Sequence, residues 1–219
     1  MKKVLVILDN GHGINTPGKC SPDKLFREYA YARMFVKRLK TALEAQNYKV
    51  VILVPEEEDI GLSIRAARAN EIYNKYKATH TVVLISIHNN AAPGNGWSNA
   101  RGWAAYTSVG KTESDRVCRC LYDAAEIYLK DYIKNFSSPE KAQRPIRSTK
   151  DESKGYEDNF TIITKTKCPA VLTENLFQNN KEDVAFLTSE EGIQALIDLH
   201  VAGIMKWAEG YDLVPVITH

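Results

Sequence analysis

The ten residues Val4-Leu5-Val6-Ile7-Leu8-Asp9-Asn10-Gly11-His12-Gly13 decide how this chain folds. Five aliphatic side chains in a row leave no polar face, so the strand they predict is buried on both sides. Asp9-Asn10-Gly11 then ends it. A second apolar strand is predicted over 81–87 and runs into His88-Asn89-Asn90. Strands buried on both faces belong to sheets covered by helices. Residues 24–46 supply one such helix, with an apolar stripe of Leu25, Tyr29, Ala32, Phe35, Val36, Leu39 and Leu43 at helical spacing. Further helices are expected at 62–77, 112–134 and 189–209, and further strands at 49–54, 102–107, 160–164 and 170–173. The pattern predicts an α/β fold. It is a single three-layer domain over 1–219, with a mostly parallel twisted sheet of about six strands and helices on both faces. Residues 137–159 are polar and irregular, which fits either a surface loop or a lid beside a cleft.

Composition narrows the function. The chain has 219 residues, 44% hydrophobic and 26% charged, which excludes a disordered or collagen-like protein. Its apolar runs are far shorter than the roughly 20 residues a membrane span needs. A net charge of +2 gives no reason to expect nucleic acid. The charge is uneven, −6 from Glu174 onward and +8 before it. That fits an acidic last helix, or a basic portion drawn weakly to an anionic polymer. Cys20, Cys118, Cys120 and Cys168 show no C-x-x-C spacing, so reduced structural thiols are expected, as in a protein folded in the cytoplasm. Met1-Lys2-Lys3 is followed by only five apolar residues, too few for a secretory signal, so no signal peptide is expected.

Four residues concentrate chemistry at the predicted strand ends. His12 and His88 follow the first and third strands, where open α/β sheets bind ligands. Glycines flank His12 and permit close backbone approach. Glu28 falls on the buried stripe of the first helix, a costly place for a carboxylate unless it is paired or metal-bound. Glu174 ends the run Pro169-Ala170-Val171-Leu172-Thr173. Two histidines and a glutamate with an open position are a known catalytic zinc donor set, and a neighbouring carboxylate would act as general base and acid. Each residue alone also has a structural reading: a hydrogen-bonded histidine, a helix-start carboxylate, a salt-bridge partner. Residues 13–20 nearly fit a phosphate loop, but Cys20 cannot replace its hydroxyl, Pro22 breaks the following helix, and the third strand ends in His88 rather than in an acidic residue.

Together these motifs resemble the zinc-dependent N-acetylmuramoyl-L-alanine amidases of the amidase-3 type. Asp9-Asn10-Gly11-His12-Gly13-Ile14 matches the family's Asp-Pro-Gly-His-Gly-Gly. Leu62-Ser63-Ile64-Arg65 with Ala69-Asn70 matches Leu-x-x-Arg and Ala-Asn. Ser86-Ile87-His88-Asn89-Asn90 matches Ser-Ile-His-Ala-Asn. Pro169-Ala170-Val171-Leu172-Thr173-Glu174, with Phe177 and Asn179, matches Pro-Ala-Val-Leu-x-Glu and its sequel. The resemblance implies one Zn2+ held by His12, Glu28 and His88, with Glu174 as the catalytic carboxylate, although the two glutamates could exchange roles. The implied reaction is hydrolysis of the amide joining N-acetylmuramic acid to L-alanine in peptidoglycan. The alternatives are a peptidoglycan-binding module without turnover and a zinc exopeptidase of related fold. The departures are Asn10, Ile14, Asn89 and Asn175-Leu176, together with Val54-Pro55 in place of Thr-Arg. They spare the implied ligands. The expected partner is peptidoglycan, with a monomer as default and no separate cell-wall-binding domain. Without a signal peptide, the expected route to the wall is a holin-type membrane lesion or a leader lost upstream.

Overall fold

The computed structural model describes residues 3–134, 143–150 and 153–210. Strand β1 (Lys3–Asn10) lies between β2 (Lys49–Ile52) and β3 (His80–Asn90), parallel to both. β3 pairs in parallel with β7 (Ala170–Phe177), which runs antiparallel to β4 (Arg101–Thr107). Two short strands, β5 (Gln143–Ile146) and β6 (Tyr156–Glu157), extend the sheet in parallel along β4. The spatial order is β2-β1-β3-β7-β4-β5, with β6 also on β4. The expected parallel sheet is therefore present, with one reversal where β4 meets β7.

Because side chains alternate across a strand, each apolar strand feeds two cores. Val6, Leu8, Val83, Ile85 and Val171 point into the larger core. It is completed by α1 (Glu28–Ala45), α3 (Glu113–Tyr128) and α7 (Glu190–Ala208). Leu5, Ile7, Val82, Leu84 and Leu172 point the other way, against α2 (Leu62–Tyr76) and α5 (Thr161–Thr164). Two further helices, α4 (Lys130–Lys134) and α6 (Lys181–Thr188), add Tyr132 and Leu187 to the larger core. This is the continuous apolar run of the sequence converted into a sheet buried on both faces. Among the described residues no helix is long and apolar enough to cross a membrane. All four cysteines are free thiols, three of them buried.

Three expectations change. Helix α1 begins at Glu28 rather than residue 24. Residues 21–26 instead form a turn in which Ser21 N–H donates to Phe26 O at 2.9 Å, and Asp23 Oδ1 accepts from Leu25 N–H at 3.1 Å. Leu25 consequently leaves the apolar stripe and is 87% exposed. Residues 160–164 form one helical turn, not a strand. Ile163 and Thr164 both donate to Phe160 O, and the turn seats Ile162 and Ile163 in the smaller core. Helix α6 was not expected; Asn180 Oδ1 caps it by accepting from the Glu182 and Asp183 N–H groups. Of the irregular stretch 137–159, residues 143–150 and 153–159 carry β5 and β6 on the sheet edge. The remainder, and with it the question of a lid, lies outside the described residues.

Candidate metal centre and active site

Sheet register brings the four candidate residues to one edge. Asn10 pairs with Ile87, and Gly11 N–H still donates to Ile87 O at 3.0 Å, so β1 ends level with the residue before His88 while β3 runs on to Asn90. His12 then turns aside with φ +60°. Its carbonyl is held by Arg65 Nη2 at 3.0 Å and Arg33 Nη1 at 3.1 Å. His88 lies within β3, in register with Glu174 of β7. Glu28 opens α1 and points back at both imidazoles.

The three donor groups converge. Glu28 Oε1 lies 3.2 Å from His12 Nε2 and 3.1 Å from His88 Nδ1. One donor atom from each residue falls within 4.8 Å of the others. The rings of His12 and His88 meet edge to face, centroids 4.9 Å apart. Glu28 is only 1% exposed, and its ion-pair partners among the described residues are the two imidazoles alone. Burial opposes its charge, yet hydrogen bonds to His12 and His88 hold its carboxyl far below the ordinary range. Burial likewise disfavours the His88 cation, but Glu28 reverses this and raises its pKa. A buried carboxylate facing two imidazoles, with no lysine or arginine to neutralise it, fits a divalent metal ion as the missing positive charge.

Glycine makes room for this cluster, though not in the way the sequence suggested. A Cβ on Gly11 would lie 2.4 Å from Cε1 of His88, and one on Gly13 2.0 Å from the backbone nitrogen of Asp59. The close approaches are to the His88 ring and to the neighbouring loop.

Glu174 stands beside the donors rather than among them. Its Oε2 is buried with no hydrogen-bond partner among the described residues. Burial pushes its pKa up to about 7, against the pull of His88. The backbone after it is irregular. Register slips so that two steps from His88 to Asn90 face three from Glu174 to Phe177. Leu176 takes φ +62° in this bulge, where the family resemblance places a glycine. Such a bulge re-aims the side chains around it.

Sequence reasoning missed the residues that orient these four. Gln178 Nε2 donates to Glu28 Oε2 at 3.0 Å, and Asn89 N–H to Glu28 Oε1 at 3.0 Å. Arg65, 2% exposed, donates to Ile60 O, Asp9 Oδ1, Asn10 O, His12 O and Asp59 Oδ1. It binds the end of β1 to the 59–60 loop. Asn175 Oδ1 accepts from Trp103 Nε1 at 3.0 Å, and its Nδ2 donates to His88 O at 3.3 Å. Gln178 carried no signal in the sequence, since 150 positions separate it from Glu28. Arg65 was visible only as part of the Leu-x-x-Arg resemblance.

Two imidazoles, a buried carboxylate and a second carboxylate of raised pKa, on the carboxyl edge of an α/β sheet, form the donor set and layout of a metallohydrolase. A family model fixes which kind. The chain belongs to the amidase-3 family of N-acetylmuramoyl-L-alanine amidases, whose model matches residues 6–206. It is 27% identical over 207 residues to the endolysin of Bacillus phage SPP1, covering 92% of this chain and 65% of that protein. It is 23% identical over 203 residues to the N-acetylmuramoyl-L-alanine amidase CwlM of Bacillus licheniformis, covering 93% and 68%. The chain thus spans about two thirds of the length of these relatives. The crystal structure of an N-acetylmuramoyl-L-alanine amidase from Clostridium difficile 630 superposes with a TM-score of 0.75 at 23% identity, over 97% of this chain and all of that one. That likeness establishes the fold.

Proposed function

We propose that this chain is a zinc-dependent hydrolase of the amide between N-acetylmuramic acid and L-alanine in peptidoglycan. The observation that carries the reading is the convergence of His12, Glu28 and His88 beside the half-buried Glu174, in a chain of this family. His12, Glu28 and His88 would hold one Zn2+, which when bound supplies Lewis-acid polarisation and water activation. Gln178 and Asn89 orient Glu28, and the Arg65 and Arg33 guanidiniums fix the His12 backbone. Glu174 moves the protons. Near a bound cation its ionised form is favoured, so Glu174 first accepts a proton from the attacking water. It then returns that proton to the amide nitrogen, without which an amine leaves poorly. Burial of Glu174 opposes the ionised form while a bound cation would favour it, and that balance suits a group that takes up and returns a proton.

The test is product identification on purified peptidoglycan with metal analysis of the protein. The amidase releases sugar-free stem peptides with an L-alanine amino end and leaves glycan chains intact. Released single amino acids would make it an exopeptidase, and binding without products a recognition module. Glu28→Ala should lose the metal while Glu174→Ala keeps it; the opposite result exchanges their roles. Similarity to a phage endolysin supports a lytic role, with synthesis in the cytoplasm and access to the wall through a membrane lesion. Cells expressing the chain should then stay intact until their membrane is permeabilised, and lyse promptly afterwards.

A further inference from the structure

Of the three tryptophans, two are structural. Trp103 and Trp207 are at most 5% exposed, and their indole N–H groups donate to Asn175 and Glu113. Trp97 differs on every count. It is 37% exposed, and its N–H has no partner among the described residues. The Lys181 ammonium stands 5.5 Å from its ring centroid and has no ion-pair partner among the described residues. These two side chains, with Asn99, line a cavity of about 210 Å³.

This cavity is tied to the metal centre. Gln178, which grips Glu28, is followed by Asn179 and Asn180, and both clamp the loop that bears Trp97. Asn179 exchanges two hydrogen bonds with the backbone of Ala92, at 3.0 and 2.9 Å. Ser98 N–H donates to Asn179 O at 2.8 Å, and Asn180 Nδ2 to Ser98 O at 2.8 Å. With consecutive Cα atoms about 3.8 Å apart, these bonds keep the Trp97 backbone on the order of 10 Å from that of Gln178. A second hollow of about 230 Å³ opens between the same loop and the 18–24 turn, with Ala91 and Asn179 in its wall. Space around Gly94 and Gly96 is open, so the loop presents bare backbone there.

We infer that Trp97, Lys181 and Asn99 form a sugar-binding ledge that takes an N-acetylated hexosamine ring of the glycan strand next to the cleavage site. The inference rests on the amidase reading. An indole on a loop whose backbone is already clamped offers a flat apolar face to the C–H face of a pyranose, with little loop entropy left to lose. Indole N–H, ammonium and the unspent Asn99 amide are donors matched to an acetamido carbonyl and to ring hydroxyls. The rest of the cavity is lined by Ser98, Asn180 and Glu182, all polar, so a greasy peptide side chain would gain little there.

Two measurements test it. In the Glu174→Gln protein, N-acetylglucosamine oligomers should change tryptophan fluorescence saturably, and Trp97→Phe should abolish that change. In the active enzyme, KM on glycan-linked peptidoglycan divided by KM on a short soluble muramoyl-peptide should rise about tenfold in Trp97→Ala, with kcat little altered. That corresponds to about 1.4 kcal/mol. Lys181→Met should move the ratio the same way. Trp97 is exposed, so its removal leaves both cores intact. An unchanged ratio, or a fluorescence response to free stem peptide but not to sugar, overturns the ledge. If the native protein cleaves neither substrate, the amidase reading fails, and the sugar titration alone decides the ledge.

Discussion

Replacing Gly11 by alanine tests how tightly the fold packs beneath the candidate metal site. The new Cβ would lie 2.4 Å from Cε1 and 2.5 Å from Nδ1 of the His88 ring. Carbon atoms in contact rest at about 3.5–4.0 Å, so the overlap is roughly 1 Å. Gly11 cannot retreat, because its N–H is tied to Ile87 O at 3.0 Å and the two preceding residues lie in the ladder. The ring must move instead, and it carries a donor atom now 3.1 Å from Glu28. Metal–ligand distances tolerate only about 0.2 Å. A shift of about 1 Å in a catalytic group can cost on the order of 100-fold in rate. Gly11→Ala should therefore lose about 100-fold in activity, with a comparable loss in metal affinity by competitive chelator titration. Gly61→Ala is the control, since a Cβ there meets nothing within 4 Å. If Gly11→Ala binds metal and turns over within about threefold of the native chain, the packing argument is wrong.

Other outcomes follow from single contacts. Arg65→Met leaves Asp9, 1% exposed, without its cation, and should cost about 3–5 kcal/mol in urea unfolding; a loss below about 1 kcal/mol would contradict a buried ion pair here. Glu174→Gln should retain metal but lose on the order of 10²–10⁴ in kcat, and near-native turnover would exclude it as the proton carrier. His200 is fully buried between Leu196 O at 2.7 Å and Thr173 Oγ1 at 3.1 Å, and burial depresses its pKa to about 4. The unfolded chain takes up the proton first, so the stability this histidine contributes is complete above pH 6.5 and is lost as pH falls to about 4. At about 1.4 kcal/mol per unit the loss is roughly 3 kcal/mol, and the His200→Gln protein should show a correspondingly flatter pH–stability curve over that window.

The parts of the site legible in the sequence share a physical signature. His12, His88 and Glu174 are polar residues at the ends of strands with no polar face, and Glu28 is a carboxylate on a buried helix face. Each breaks a local pattern, and the break marks it. Gln178, Asn89 and Asn175 break no pattern that the sequence shows, since amides are ordinary at and just past the end of a strand. They act through bonds to residues as much as 150 positions away. The same limit explains the misread turn. Phe160-Thr161-Ile162-Ile163-Thr164 has the β-branched composition of a strand, but one helical turn puts both isoleucines into the smaller core.

What the sequence determined by itself was the buried α/β sheet and the four candidate residues that meet at its edge. Aliphatic periodicity states which side chains must leave water, and hydrophobic burial is indifferent to their partners' identity. What only tertiary structure decided was geometry. The register sets His88 beside Glu174, the slip after it puts Leu176 at φ +62°, and Gly11 is bare because the His88 ring occupies its Cβ space. These are steric facts between segments distant in the chain, and a one-dimensional pattern holds no distances.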